Sequence, residues 1–307
     1  MKNCPNFDEK RYKIGYTEID ADFIRKCDEE FEDLLERSVS KLCEGGSVRV
    51  LGLTGPTCSG KTTAAKKLLR HLGDEERRVA TVSLDDFFKD CFSREDLVGA
   101  KIEDLDFDSP DTLDTELLSG FVDEIFKKGR AKKPIFDFVS GTRSRWEEIK
   151  CDGDDVLLFE GIQVLYPAVL SIIESHGGKV LAVRPESGIE MGGKRYDPDF
   201  IRLCRRLVRD ANFRGASPDF TLALWGSVRR NEEANIFPYM DRCDVRIDTT
   251  LPYELNVLAP YLRRILAGVE RGSKYHGECL EILGLLEDVV GIESFAISND
   301  SLYKEFV

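Results

Sequence analysis

No CxxC pair occurs anywhere in the 307 residues, although the chain has nine cysteines. They are scattered and odd in number (Cys4, Cys27, Cys43, Cys58, Cys91, Cys151, Cys204, Cys243 and Cys279). That pattern argues against a disulfide framework and a zinc site, and for reduced thiols. Long apolar runs are also missing: none approaches the roughly 18 residues that cross a bilayer, and the opening MKNCPNFDEKRYKIGYTEID has no apolar stretch of the signal-peptide kind. Positive charge is in deficit, with 44 Lys and Arg against 57 Asp and Glu for a net charge of -13. A global attraction to nucleic acid or anionic lipid is therefore absent, so neither is an expected partner, and a cytoplasmic location is expected. Any anionic ligand has to be held by a local basic site.

What is present is a globular composition, 42% hydrophobic and 33% charged. Residues 21–43 place Phe23, Ile24, Cys27, Phe31, Leu34, Leu35, Val39 and Leu42 at three- and four-residue intervals, an amphipathic helix stopped by Gly45-Gly46. After it come short apolar runs without polar alternation, Val48 to Leu53, Val79 to Leu84, Val156 to Phe159, Val180 to Val183 and Val245 to Ile247. Such runs predict strands buried on both faces. Between them lie helical patterns at Thr62 to Leu72, Thr112 to Lys127, Pro198 to Phe213 and Pro218 to Met240, with more helix from Pro252 to Val290. Strands alternating with helices mean an α/β fold with a parallel sheet. The expected organisation is an N-terminal helical extension at 1–46, a main domain at 47–250 and a C-terminal helical extension at 251–307.

The first buried strand runs into Gly55-Pro56-Thr57-Cys58-Ser59-Gly60-Lys61-Thr62-Thr63 and then a helix, the complete GxxxxGK[ST] phosphate loop in its strand-to-helix setting. Glycines let such a backbone wrap with its N–H groups inward, and the helix N-terminus adds positive potential for a nucleotide's phosphates. Gly55, Thr57, Cys58, Ser59, Gly60, Lys61, Thr62 and Thr63 are accordingly the expected nucleotide-binding residues. Lys61 would reach the β/γ-phosphates and the Thr62 hydroxyl would ligate Mg²⁺. Cys58 reads first as a small filler of the loop, although Lys61 and the helix start would favour its thiolate.

Carboxylates follow at two strand ends. Asp85, in Ser83-Leu84-Asp85-Asp86, lies where open α/β sheets bind ligands and can take an acceptor's proton. Glu160 ends the apolar Val156 to Phe159 run, as the metal-side acid of a nucleotide site does; Thr62, Asp85 and Glu160 form the expected Mg²⁺ set. On the helix from Pro198, Arg202, Arg205, Arg206 and Arg209 share about a third of the circumference, a local anion site in an acidic chain.

Together these segments resemble the uridine kinase and phosphoribulokinase family of P-loop kinases, from about residue 48 to residue 250, through GPTCSGKTT, VSLDDFFKD, DFDSPDTLD, KPIFDFVSGTRS, VLLFEGI and RLCRRLVRD. The stretch FRGASPDFTLALWGSVRRNEEANIFPYMDRCDV resembles a bacterial uridine kinase-like branch. The resemblance implies a three-layer P-loop NTPase fold and a kinase using ATP and Mg²⁺. It implies Asp85 as catalytic base, with Lys61, Arg206 and Arg209 acting on the transferred group. Asp108, Phe136, Phe138, Arg143 and Arg202 are then expected around a small hydroxyl-bearing acceptor. There is one departure: uridine-cytidine kinases carry a base-reading His where Gly141 stands, and a Tyr where Phe136 stands. A nucleoside such as uridine or cytidine is the first expectation for the acceptor. A sugar phosphate or other hydroxy metabolite, a pantothenate-like acceptor among them, and an ATP-binding regulator without transfer stay open. So does self-association. A GTPase is disfavoured because no NKxD motif occurs.

Overall fold

The computed structural model describes residues 11–14, 19–44, 48–72, 78–90, 109–137, 140–292, 297–298 and 300–307. In chain order its elements are β1 (Arg11–Ile14), α1 (Ala21–Cys43), β2 (Val50–Thr54), α2 (Lys61–Leu72), β3 (Val79–Ser83), α3 (Thr115–Lys128), β4 (Arg130–Asp137) and β5 (Thr142–Lys150). There follow β6 (Val156–Glu160), α4 (Pro167–Ser175), β7 (Lys179–Arg184), β8 (Gly188–Met191), β9 (Lys194–Tyr196), α5 (Pro198–Phe213), α6 (Pro218–Asn231), β10 (Val245–Asp248), α7 (Glu254–Leu266) and α8 (His276–Leu285).

Five strands form a parallel sheet in the order β10-β7-β2-β6-β3. These correspond to the five apolar runs, and along β2, β6 and β7 alternate residues enter opposite cores. Leu51, Leu53, Leu158, Leu181 and Val183 pack with α1, α2, α5 and α7, whereas Val50, Leu157, Phe159, Val180 and Ala182 pack with α3 and α4. A strand covered by helices on both faces needs no polar side, which is why β2, β6 and β7 do not alternate in polarity, whereas the edge strand β10, VRID, buries only Val245 and Ile247. The result is the expected three-layer arrangement.

Local signals set the helix ends. Asp20 and Asp114 cap α1 and α3 by accepting from the backbone N–H of Phe23 and Leu117, and Gly129 ends α3 at φ +69°. Ser217 caps α6, with Pro218 in its first turn.

Several elements differ from the sequence-based reading. The helix expected from Pro218 to Met240 stops at Asn231, continues as a π turn over Glu232–Ile236 and tightens to a 3-10 turn over Phe237–Arg242. Pro238 has no N–H to donate and its ring crowds the preceding turn. The helical stretch from Pro252 to Val290 resolves into two helices, α7 and α8. The antiparallel hairpin β4-β5 and the small sheet β1-β8-β9 were not expected at all.

Candidate active site

The parallel register brings three strand ends level: Leu53 of β2 and Ser83 of β3 both pair with Glu160 of β6. Immediately beyond this line the chain turns into the phosphate loop after β2, the 3-10 turn Leu84–Phe87 after β3, and Gly161 after β6. A cleft of about 640 Å³ opens there, lined among others by Lys61, Thr62, Asp85, Glu160, Arg206 and Arg209. Thr57 and Cys58 also line it. Six residues from four separate segments thus line one cleft.

The loop has the shape of an anion cradle. Gly55 lies at φ +155°, where a Cβ would stand 2.0 Å from the Val183 carbonyl oxygen, and Gly60 lies at φ +92°. Cys58 takes the left-handed conformation at φ +57° although it is not a glycine. Three successive carbonyls are tied from outside the cleft: Thr57 O accepts from Arg202 Nε at 3.1 Å, Cys58 O from Arg205 Nη1 at 3.3 Å, and Ser59 O from the Thr249 hydroxyl at 2.7 Å. In a trans peptide the following N–H points opposite to its carbonyl. The amides of Cys58, Ser59 and Gly60 are therefore turned the other way, as a phosphate requires. Lys61 Nζ donates to Gly55 O and Pro56 O at 2.9 and 3.0 Å. Burial lowers the pKa of its ammonium, opposed by Glu305, Glu160 and Asp85 nearby.

Arg202 is corrected by this geometry. It was expected beside an acceptor, but it is 1% exposed and ion-paired with Glu232 and Asp199 beneath the loop. Arg205 is likewise sealed against Glu254 at 2.6 Å. The arginine stripe on α5 is therefore split: Arg202 and Arg205 hold the loop from below, and Arg206 and Arg209 face the cleft. Arg206 Nη1 also reaches the Thr57 hydroxyl at 3.3 Å. A buried basic side chain is stable only when paired, so the two inward arginines required the acids that Glu232 and Glu254 supply.

Asp85 and Asp86 diverge although adjacent. Asp85 Oδ1 accepts from Gln163 Nε2 at 2.7 Å and faces the cleft. Asp86 turns to the hairpin, pairing with Lys133 at 2.6 Å and accepting from Phe136 N at 3.2 Å. Burial raises the pKa of both Asp85 and Glu160, with the Lys61 charge pulling each back down. Thr62, Asp85 and Glu160 all line the cleft and offer hard oxygen donors, the kind that Mg²⁺ takes.

The acceptor side gathers fewer of the expected residues. Phe136 is buried and packs edge to face on Phe88, which lines the cleft, at 5.6 Å. Arg143 instead binds Asp114 at 2.9 Å and Asp90 through its backbone N–H at 2.7 Å, bracing the hairpin against the start of α3. Gly141 sits in the hairpin turn at φ +70°. Asp108 and Phe138 lie outside the described residues. Cys58 is 3% exposed and serves as filler of the loop. Sequence reasoning missed Gln163, Glu232, Thr249, Glu254 and Glu305, none of which belongs to a short motif; only the contacts reveal them.

No helix among the described residues is long and apolar enough to cross a membrane. The family model of the Phosphoribulokinase / Uridine kinase family matches residues 50–191. A uridine kinase of Clostridium botulinum (strain Langeland) is 30% identical over 182 residues, covering 59% of this chain and 78% of that protein. A uridine kinase of Geobacillus kaustophilus is 30% identical over 184 residues, covering 59% and 76%. A solved structure of a possible uridine kinase from Bacillus stearothermophilus is 18% identical, with a TM-score of 0.45, over 72% of this chain and 98% of that one. With the strand-loop-helix cradle and the facing carboxylates already in place, the match over the phosphate loop and sheet shows that the chain belongs to the phosphoribulokinase/uridine kinase family.

Proposed function

We propose that the protein is an ATP- and Mg²⁺-dependent kinase that phosphorylates a hydroxyl group of a small metabolite. The observation that carries this is the convergence of Lys61, Thr62, Asp85, Glu160, Arg206 and Arg209 on one cleft. The cradle conformation and the oxygen donors fit a Mg²⁺-nucleotide, which when bound supplies the phosphoryl group and a cation to offset its charge. Thr62, Glu160 and Asp85, which line the same cleft, would hold the cation. Asp85, kept in one orientation by Gln163, accepts the acceptor's hydroxyl proton. Lys61, Arg206 and Arg209 place positive charge around the transferred group and, by crowding it, exclude water.

Uridine or cytidine is one candidate acceptor, and family membership favours it. A specific observation favours a second reading, a sugar phosphate or other hydroxy metabolite. Gly141 stands at the expected position of the base-reading His, in a left-handed turn that supplies no side chain. A site that hydrogen-bonds a group rejects analogues lacking it by large factors, and that penalty vanishes with the reading group. We further take 47–250 as the kinase domain and the flanks as extensions of it, since α1, α7 and residues 302–306 enter the same core as one face of the sheet.

ADP release measured against nucleosides, sugar phosphates, pantothenate and glycerate separates these readings. Turnover on one class identifies the acceptor. MgATP binding with no turnover on any would leave a nucleotide-binding regulator.

A further inference from the structure

Residues 300–307 fold into a short hook against the phosphate loop. Leu302, Tyr303 and Phe306 are at most 1% exposed. The Arg205 guanidinium lies 5.7 and 5.4 Å from the Tyr303 and Phe306 ring centres, and Asn212 Nδ2 donates to Phe306 O at 3.1 Å. Leu302 presses so closely that a Cβ on Gly60 would stand 2.6 Å from its Cδ1. The rings of the hook thus pack on the same α5 arginine that holds the loop from below, and Asn212 of α5 fixes its backbone at Phe306.

This anchoring presents Glu305 to the cleft, which it helps to line. Its Oε2 accepts from the Thr63 backbone N–H at 3.2 Å and lies 3.4 Å from the Thr63 hydroxyl. Thr63 is in the first turn of α2, whose closing hydrogen bond is Ala64 N to Gly60 O at 3.0 Å. Its N–H is one of the donors a helix start leaves for an anion. In a phosphate loop those donors serve the nucleotide's phosphates. A backbone N–H makes one strong hydrogen bond, so the carboxylate and a phosphate cannot both use it, and the two anions repel at such range.

We propose that Glu305 is a built-in anionic competitor, holding the Thr63 amide in the free protein and having to swing aside when a nucleotide's phosphate arrives. The inference rests on reading the cleft as the nucleotide site. Because the hook is locked by its apolar residues, only the Glu305 side chain has to move, and the rest of residues 300–307 stays in place. Apparent nucleotide affinity is then lowered by the fraction of molecules in which Thr63 is taken.

Titration calorimetry with MgADP on the full chain, as the parent, Glu305→Ala and Glu305→Gln, decides the matter. Glu305→Ala should bind MgADP about three- to tenfold more tightly than the parent, the gain expected if Thr63 is taken in most free molecules. Glu305→Gln, which keeps an acceptor but drops the charge, should fall between. The nucleotide-free melting temperature of Glu305→Ala should drop at the same time, since α2 loses an acceptor on its first turn. Tighter binding in a less stable protein is the signature of a competitor. Equal affinity in all three proteins overturns the proposal, and so does weaker binding in the variants, which would make Glu305 part of the nucleotide or metal site. If the parent and both variants fail to bind MgADP at all, the nucleotide reading of the cleft falls and the competition falls with it.

Discussion

Asp85 and Lys61 sit in one cleft with opposite electrostatic problems, and their responses to substitution should differ. Burial raises the Asp85 pKa, so its ionised form is the costly one in the folded protein. A group with a raised folded-state pKa gives stability below its unfolded value of about 3.9, and that stability is lost as pH rises through the folded value. At neutral pH Asp85→Asn is therefore expected to melt higher than the parent. The gap should close as the pH falls through the carboxylate range and the parent's own Asp85 takes up a proton. Turnover should fall far more than nucleotide affinity, because the proton acceptor is gone and the cradle is not. A drop in nucleotide binding without a drop in turnover would make Asp85 a metal residue alone. In the parent, turnover should decline on the acid side at a pH above 3.9, the ordinary Asp value. Lys61→Ala should cost roughly a thousandfold in turnover, about 4 kcal/mol of transition-state stabilisation. Its melting temperature should change little, since the ammonium is held by only two loop carbonyls and is destabilised by its own burial. Near-normal turnover would overturn the role given to the loop.

The helix α5 shows what a single element can carry and how much of it a sequence reveals. Its four arginines lie on one side, and amphipathicity alone predicts one basic face. Burial divides that face instead, because the β7, β10 and α7 side of the helix is core and the α6 side borders the cleft. Truncating one partner of a buried pair leaves the other charge uncompensated, which costs about 3–5 kcal/mol. Glu254→Ala should accordingly unfold far more easily than the parent in urea, by that amount, because Arg205 has no exposure to recover solvent. Arg209→Gln should barely move the urea midpoint and should lower turnover instead, since Arg209 borders the cleft and Asp210 keeps Arg206 as a partner. The reverse pattern would put Arg209 in the framework and Arg205 in the chemistry. Other elements were legible in proportion to their apolar pattern. The core strands carry short runs rich in buried apolar residues and were plain, whereas β5, TRSRWEEIK, exposes most of both faces and offers no period to detect. The extent of α6 was overread because the spacing of its apolar residues continues past Asn231, while Pro238 breaks the hydrogen-bond ladder they would need.

At the scale of the whole molecule, the problem posed by the composition is solved by placement. With a net charge of -13 the protein repels an anionic ligand at a distance. Its cleft compensates with Lys61, Arg206, Arg209 and Arg214 gathered where three strand ends come level. The nucleotide half of this site was readable because it is built from one continuous motif. The side chains that support the loop and Asp85 were not, because Gln163, Glu232, Thr249, Glu254 and Glu305 come from segments far apart in the chain. Binding confined to the folded state must then stabilise all of it together: at a ligand concentration 100 times Kd the gain is about 2.7 kcal/mol. For a protein of this size that corresponds to a rise of roughly 4 °C in melting temperature. MgADP should produce that rise in the parent and a much smaller one in Lys61→Ala at the same concentration, because the phosphates lose their nearest cation. Should MgADP leave the melt of the parent unmoved at millimolar concentration, the loop would be a phosphate cradle in form only. Should the parent and Lys61→Ala shift equally, the nucleotide binds somewhere other than the cleft beneath α5.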